Sequence, residues 1–337
     1  MADDAVGGVW TWRDDRRGSD RDNAAAPFPE VAMKVLVCTA KEQDEWRDAL
    51  AACLPEARVH AGPDAPACDY AVVWKPPARL FEQQRRLKAL FSLGAGVNGL
   101  LAMPSLPREL PLVRMEDCGM AAQMVEYALY VSLRHFRRFP DYRRAQAELH
   151  WAPQPLRQRS DFRVGILGLG VLGGAVADAL AGFGFRVSGW SRTARSMPGV
   201  HCEHGPAGLE AVLAHSQLLM LFLPLTHETE GLLGRDRLAR LPAGAVVANL
   251  SRGEVLDDDA LLEALDAGRI AEAHLDVFRH EPLPPGHRYW RHPRVRMTPH
   301  VAALTPYAVA CRQVADKIRR MQAGDPVSGV VDRLRGY

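Results

Sequence analysis

The chain has 337 residues, 47% of them hydrophobic, and a formal net charge of +2. That is long enough for two cores, and too weakly charged to point to nucleic acid or an anionic membrane as partner. Its six cysteines (Cys38, Cys53, Cys68, Cys118, Cys202, Cys311) are scattered without a CxxC pair, which fits a reduced, cytoplasmic protein better than a disulfide scaffold.

Residues 1–32 mix Asp-Asp, Arg-Arg, Gly and Pro with no helical or strand period and no apolar signal core, and read as a disordered extension. Met33-Lys-Val-Leu-Val opens the first strand, 33–39, which makes Met33 the expected start in the cell. Residues 41–54 read as an amphipathic helix with Trp46, Ala49, Leu50, Cys53 and Leu54 on one face. Strands follow at 69–75 and 87–93, the latter ending in Gly94-Ala95-Gly96-Val97-Asn98. This series lacks a complete GxGxxG, so it reads as a smaller doubly wound unit that does not hold a dinucleotide. Its glycine loop places backbone N–H groups where a small carboxylate could bind, although taken alone it reads as a structural turn. Residues 120–138 form the longest helix before the next motif, ending in a solvated basic run, and Pro153 and Pro155 mark a connector.

Residues 162–167 read as a buried parallel strand, followed directly by Gly168-x-Gly170-x-x-Gly173 and a helix over 175–183. Strand, glycine turn and helix together form a dinucleotide fingerprint. Gly168 permits the tight turn, Gly170 lets a pyrophosphate approach, and Gly173 lets the helix pack on the strand, while the N–H groups of Val171 and Leu172 face the phosphates. The second strand, 185–190, ends in Ser191-Arg192-Thr193-Ala194-Arg195, with no acid to hold a free ribose hydroxyl. Arg192 and Arg195 suit a 2′-phosphate, with Ser191 as a further donor, so NADP(H) is the expected cofactor and NAD(H) the alternative. One charge-assisted hydrogen bond of about 1.5–3 kcal/mol makes that preference roughly ten- to hundredfold.

The alternation continues with a helix at 205–214, strands at 218–223 and 245–250, a helix at 257–267, and strands at 272–277 and 295–298. The longest apolar run, 218–225, is too short for a membrane span. Ligands bind outside the carboxyl ends of such strands, where Ser191, the Leu223-Pro224-Leu225 stretch, Arg252, Asp276 and His300 should converge. A last helix, 305–322, can return to the first unit. The expected division is a substrate domain of 33–119 plus 303–337 and a nucleotide-binding domain of 120–302, with a cleft between.

Reducing a 2-oxo acid needs a cation for the carboxylate, a proton for the developing alkoxide and a hydride donor. Arg252 offers a planar fork, His300 a proton, and Glu281 can orient the imidazole and stabilise its charged form, keeping the acid available at neutral pH. The histidines at 274, 280, 287, 292 and 300 show no i, i+4 pair and no HExxH, so no metal is expected.

Val164-Gly-Ile-Leu-Gly-Leu-Gly-Val-Leu-Gly173, Asn249-Leu-Ser-Arg-Gly253, His274-Leu-Asp-Val-Phe278, Glu281-Pro-Leu-Pro284 and Thr298-Pro-His-Val301 occur in one order and spacing. With them the chain resembles the D-isomer-specific 2-hydroxyacid dehydrogenase family from about residue 33 onward. Ser92 to Asn98 and Trp190-Ser191-Arg192 are similar to its NADPH-preferring glyoxylate/hydroxypyruvate reductase A type. The resemblance implies two doubly wound, Rossmann-like domains around a mobile cleft, usually in a homodimer. It implies Arg252, Glu281 and His300 as the catalytic set and Asp276 as partner of the nicotinamide carboxamide. It also turns the Ala95–Gly96–Val97 backbone from a mere turn into the binder of the substrate carboxylate. Trp46 and Trp74 either wall the substrate pocket or pack in the core. The implied reaction is reduction of glyoxylate to glycolate or hydroxypyruvate to D-glycerate. The alternatives are bulkier 2-oxo acids, an NADH-linked relative, or a nucleotide-sensing protein without turnover.

Overall fold

Short runs of apolar and β-branched residues build two parallel sheets in the computed structural model, which describes residues 33–94 and 96–337. The expected extension 1–32 and the substrate-binding role given to Ala95 fall outside the described residues. The first sheet contains β1 (Met33–Thr39), β2 (Ala57–Ala61), β3 (Tyr70–Trp74), β4 (Ala89–Ser92) and β5 (Leu112–Arg114), ordered β2-β1-β3-β4-β5. The second contains β6 (Arg163–Leu167), β7 (Arg186–Ser191), β8 (Val200–His204), β9 (Leu218–Leu221), β10 (Ala245–Asn249), β11 (Ile270–Leu275) and β12 (Val295–Met297). Its order is β12-β11-β10-β9-β6-β7-β8, and every ladder in both sheets is parallel. Two doubly wound sheets are the fold class expected from the alternating pattern. In β9 and β10 every residue is buried, as helices on both faces of a parallel sheet require.

The strands that pattern reading passed over, β2, β5 and β8, all lie at sheet edges. In β2 and β8 one flank meets water, so Arg58, His60, Glu203 and His204 interrupt the apolar run, whereas β5 is only three residues long and its outer flank is covered by Val330 and Val331. The helix after the fingerprint runs Val171–Gly182, starting four residues before the expected position, because Gly173 and Gly174 are drawn into it by burial despite low propensity.

Helices Gln43–Cys53 and Tyr307–Gln322 share one core on the first sheet, where Trp46, Leu50 and Leu54 meet Cys311, Val314 and Ile318. Helix Met120–Phe136 sends Met124, Ala128 and Val131 into the core of the second sheet beside Val176 and Leu180. The chain therefore crosses between the sheets just before Met120 and again before Tyr307. Gln123 joins the two crossings: its Nε2 donates to Gly119 O (3.1 Å) and Leu304 O (2.8 Å), and its Oε1 accepts from Leu304 N (3.0 Å). Among the described residues, no helix is long and apolar enough to cross a membrane.

Candidate active site

The turn after β6 is built by close backbone approach. Gly168 takes φ +103°, and a Cβ there would stand 2.7 Å from Phe222 O. A Cβ on Gly173 would stand 1.9 Å from Gly168 O, whereas one on Gly170 would meet nothing within 4 Å. The first intrahelical bond in this turn is Gly174 N to Gly170 O (2.8 Å), so the N–H groups of Val171, Leu172 and Gly173 have no acceptor in the helix. An open cradle lined by free N–H groups at the positive helix end fits a dinucleotide pyrophosphate.

At the end of β7, Arg192 is half-exposed. Its Nη1 lies 3.5 Å from Glu228 Oε2, its Nη2 donates to Tyr337 Oη (2.5 Å), and its guanidinium lies 5.5 Å from the Tyr337 ring centroid. Arg195 is exposed and makes no hydrogen bond or ion pair among the described residues. The Ser191 hydroxyl departs from its expected part: its proton goes to Thr193 O (2.8 Å), so it shapes the loop rather than standing as a spare donor. Leu223 is buried, Leu225 packs on the same core, and Pro224 O accepts from Thr229 Oγ1 (2.6 Å).

Arg252 leaves the end of β10 on a loop fixed by Asn249. The Asn249 side chain donates to Arg252 O (2.8 Å) and accepts from Ser251 N (3.2 Å) and Oγ (2.9 Å). A Cβ on Gly253 would lie 2.0 Å from the Phe278 carbonyl carbon, so this loop runs against the one that carries Glu281. The guanidinium reaches the first sheet, where Nε donates to Asn98 Oδ1 (3.1 Å) while Nη1 donates to Ser251 O (2.6 Å). Gly96 lies against it so closely that a Cβ there would be 1.5 Å from Nη2. Burial pushes the guanidinium below its ordinary range, opposed by the charges of Glu281 and Glu254. It nevertheless remains a cation at any working pH.

His300 holds a left-handed backbone (φ 56°), with its N–H on Asp276 O (2.8 Å). Its Nδ1 meets both Glu281 oxygens, at 2.8 and 3.0 Å, and Glu281 Oε1 also accepts from Phe278 N (3.2 Å). Burial pushes the Glu281 carboxyl up, but the His300 hydrogen bond and charge, the Phe278 amide and Lys75 outweigh it and hold it below its usual value. With Nδ1 occupied by a carboxylate, Nε2 is the nitrogen left for chemistry, and it has no hydrogen-bond partner among the described residues.

Asp276 is buried and shapes the loop bearing His300. Oδ1 accepts from Thr298 Oγ1 (2.6 Å) and Val301 N (2.9 Å), and Oδ2 from Ala302 N (2.9 Å). Tyr127 Oη contacts Thr298 Oγ1 (2.9 Å) behind it. One lone pair of Oδ2 stays available for a further donor. Trp46 corrects the expectation of a pocket wall. It is 8% exposed, edge-on to Tyr307 with centroids 4.4 Å apart, and its ring is consumed by core packing. Trp74 instead abuts the glycine loop, since a Cβ on Gly94 would lie 2.2 Å from its ring. Val97 is buried one residue beyond Gly96. Asn98 and Thr298 were given no role from sequence, because their partners lie on loops that meet only in the fold, and Asn249 was given none although its bonds are local to its own loop.

A separate His/Glu cluster joins β11 to helix Met120–Phe136. His135 Nε2 lies 3.0 Å from His274 Nε2, and Glu272 Oε1 lies 3.0 Å from His274 Nε2 and 3.5 Å from His135 Nε2. Arg134 grips both Glu272 oxygens (2.9 and 3.2 Å) and Arg296 adds a contact at 3.3 Å. Two guanidiniums already neutralise the carboxylate, and the facing ring nitrogens are spaced for a shared proton, so the cluster reads as an ion-paired brace rather than a cation site.

The family profile described as D-isomer specific 2-hydroxyacid dehydrogenase, NAD binding domain, matches residues 129–302. The glyoxylate/hydroxypyruvate reductase A of Serratia proteamaculans (strain 568) is 47% identical over 302 residues, spanning 87% of this chain and 96% of that protein. A crystal structure of a D-isomer specific 2-hydroxyacid dehydrogenase from Xanthobacter autotrophicus Py2, in complex with NADPH and MES, superimposes with a TM-score of 0.85 at 42% identity, covering 91% of this chain and all of that one. The NADPH-dependent glyoxylate/hydroxypyruvate reductase of Sinorhizobium meliloti, in complex with NADP and sulfate, gives a TM-score of 0.85 at 37% identity, covering 90% and 100%.

Proposed function

The chain belongs to the D-isomer specific 2-hydroxyacid dehydrogenase family, and from that premise we propose that it is an NADPH-dependent reductase of short 2-oxo acids, with glyoxylate and hydroxypyruvate as preferred substrates. The observation that carries the reading is one arrangement. An imidazole is pinned at Nδ1 by Glu281, and a guanidinium stands under the Gly96 backbone at the same strand ends.

In this reading Arg252 and the N–H groups around Gly96 and Val97 bind the carboxylate, and the guanidinium polarises the adjacent carbonyl. His300 Nε2 gives its proton to the carbonyl oxygen, while Glu281 keeps Nδ1 protonated and balances the imidazolium. When bound, NADPH supplies the hydride that the carbonyl carbon takes up. The Gly168–Gly173 turn would hold its pyrophosphate, the 223–225 stretch would line its path, Asp276 Oδ2 would receive the carboxamide, and Arg192, with Arg195 nearby, would take the 2′-phosphate.

The working unit in this reading is a homodimer of cytoplasmic protein. Leu149, Trp151 and Leu156 support the dimer, being 96%, 95% and 90% exposed on the arm that follows helix Phe139–Ala147. All six cysteines are free, which supports a reducing compartment. The two crossings support domain limits near 119/120 and 302/303.

The test is NADPH and NADH oxidation measured side by side with glyoxylate, hydroxypyruvate, pyruvate and phenylpyruvate. Highest kcat/KM for the first two with NADPH is expected. A preference for phenylpyruvate would move the assignment to bulkier acids, and tight NADPH binding without consumption would replace it with a sensing role. Light scattering of wild type against Trp151→Glu, expected to be dimer against monomer, checks the assembly.

A further inference from the structure

The segment 330–337 belongs by its anchoring to the first sheet. Val330 bridges Val113, Val331 N donates to Leu112 O (2.8 Å), and Arg333 Nη2 donates to Leu110 O (2.6 Å) and Pro107 O (2.9 Å). Beyond that anchor the chain folds on itself. Gly336 N bonds Asp332 O (2.9 Å), Asp332 N bonds Tyr337 O (3.2 Å), and Asp332 Oδ1 receives Leu334 N (2.9 Å) and Arg335 N (3.2 Å). The resulting knuckle reaches the second sheet, where a Cβ on Gly336 would touch Thr226 Cγ2 at 3.5 Å. Its tip, Tyr337, accepts from Arg192 Nη2 at 2.5 Å and lies beneath the guanidinium at 5.5 Å, within cation–π range.

We infer that Tyr337 is a cofactor-specificity residue. It holds the Arg192 guanidinium ready for a nucleotide 2′-phosphate, so that a segment anchored on the substrate side takes part in choosing NADPH over NADH. The inference rests on the proposed role of Arg192. Its physical basis is the kind of partner Arg192 has. A long, half-exposed arginine pays rotamer entropy to bind a phosphate, and a partner that fixes it beforehand removes part of that cost. A carboxylate would fix it too, but would cancel its charge and repel the phosphate. Glu228, at 3.5 Å from Nη1, is such a competitor. The phenol orients the guanidinium through a neutral oxygen and a ring face, and leaves the positive charge unspent. NADH carries no 2′-phosphate, so it gains nothing from the arrangement.

The experiment compares wild type, Tyr337→Ala, Tyr337→Phe and Arg192→Ala by steady-state kinetics and direct titration with NADPH and with NADH. Thermal melting verifies folding, which the Val330–Arg333 anchor should preserve. Tyr337→Ala should raise KM and Kd for NADPH about three- to tenfold, the reach of one hydrogen bond and a stacked cation, with kcat and the NADH constants within about twofold. Tyr337→Phe, which keeps the ring, should fall between. In a variant combining Tyr337→Ala with Arg192→Ala, measured alongside, the Tyr337 effect should vanish, because its target is gone. Equal loss with both cofactors, or no loss with NADPH, overturns the inference while a lowered NADPH preference in Arg192→Ala leaves the phosphate reading standing. If Arg192→Ala leaves the cofactor ratio unchanged, the phosphate reading itself fails and takes the inference with it.

Discussion

The turn after β6 and the loop after β4 are both glycine-rich, and both follow the carboxyl end of a parallel strand, yet they need glycine for opposite reasons. In the first, backbone presses on backbone: Gly173 on Gly168 O, and Gly168 on Phe222 O. In the second, side chains from elsewhere press on the loop: Trp74 on Gly94 and Arg252 on Gly96. The first is a shape made within one sheet, where Phe222 from the loop after β9 closes on the two glycines. The second is half of a shape, completed only when Arg252 arrives from the other sheet. The Gly168 turn is therefore assembled within one sheet, whereas the Gly96 loop needs Arg252 from the other.

The sharpest test of that contrast is His300→Gln, which keeps a hydrogen-bonding side chain but cannot donate an acidic proton. Turnover should fall about 10²- to 10⁴-fold, with NADPH affinity by titration close to wild type. A parallel loss of affinity would mean that the two sites are not separable. Gly96→Ala comes next. Its methyl would displace the guanidinium, and a misplacement of about 1 Å costs on the order of 10²-fold, so kcat/KM should drop while NADPH binding and Tm stay nearly unchanged. Gly173→Ala should do the reverse. A methyl forced onto Gly168 O should destabilise by about 1–3 kcal/mol, read as a lowered Tm and a weakened NADPH titration, and an unchanged Tm would contradict the packing.

The smallest effect concerns the brace between β11 and the crossing helix. Burial pushes the His274 imidazole below its ordinary 6.5, with Glu272 only partly opposing this. The unfolded chain thus takes up that proton first, and stability present above pH 6.5 declines as pH falls below it. Burial raises the Glu272 carboxyl, but hydrogen bonds from His135, His274 and Arg134 overcome this and hold it far below the usual range, so it stays ionised and adds no slope in that window. Tm should fall between pH 7 and pH 5, and His274→Gln should flatten the decline. An equally steep slope in the variant would place its origin elsewhere.

What could be read from sequence follows the same division. The strand–turn–helix at β6 was legible because its strand is buried and its glycine spacing is local, even though Gly168 also packs on Phe222 from the loop after β9. Arg252, Glu281 and His300 were legible as polar residues at strand ends, in an order a known family shares. The partners that define their geometry were not. Asn98 meets Arg252 across 154 residues and Tyr337 meets Arg192 across 145, and no local pattern encodes contacts at that separation. Trp46 and Trp74 illustrate the limit in miniature. One sits on the buried face of a helix and the other ends a strand, and only packing decided that the first would serve the core and the second the loop. The edge strands β2 and β8 escaped because exposure on one flank admits charge and erases the period.

Gln123 grips the backbone on either side of the gap, at Gly119 and at Leu304. The two connecting segments consequently cannot slide past each other without breaking that clasp, and whatever shifts Leu304 against Gly119 must first give up these bonds.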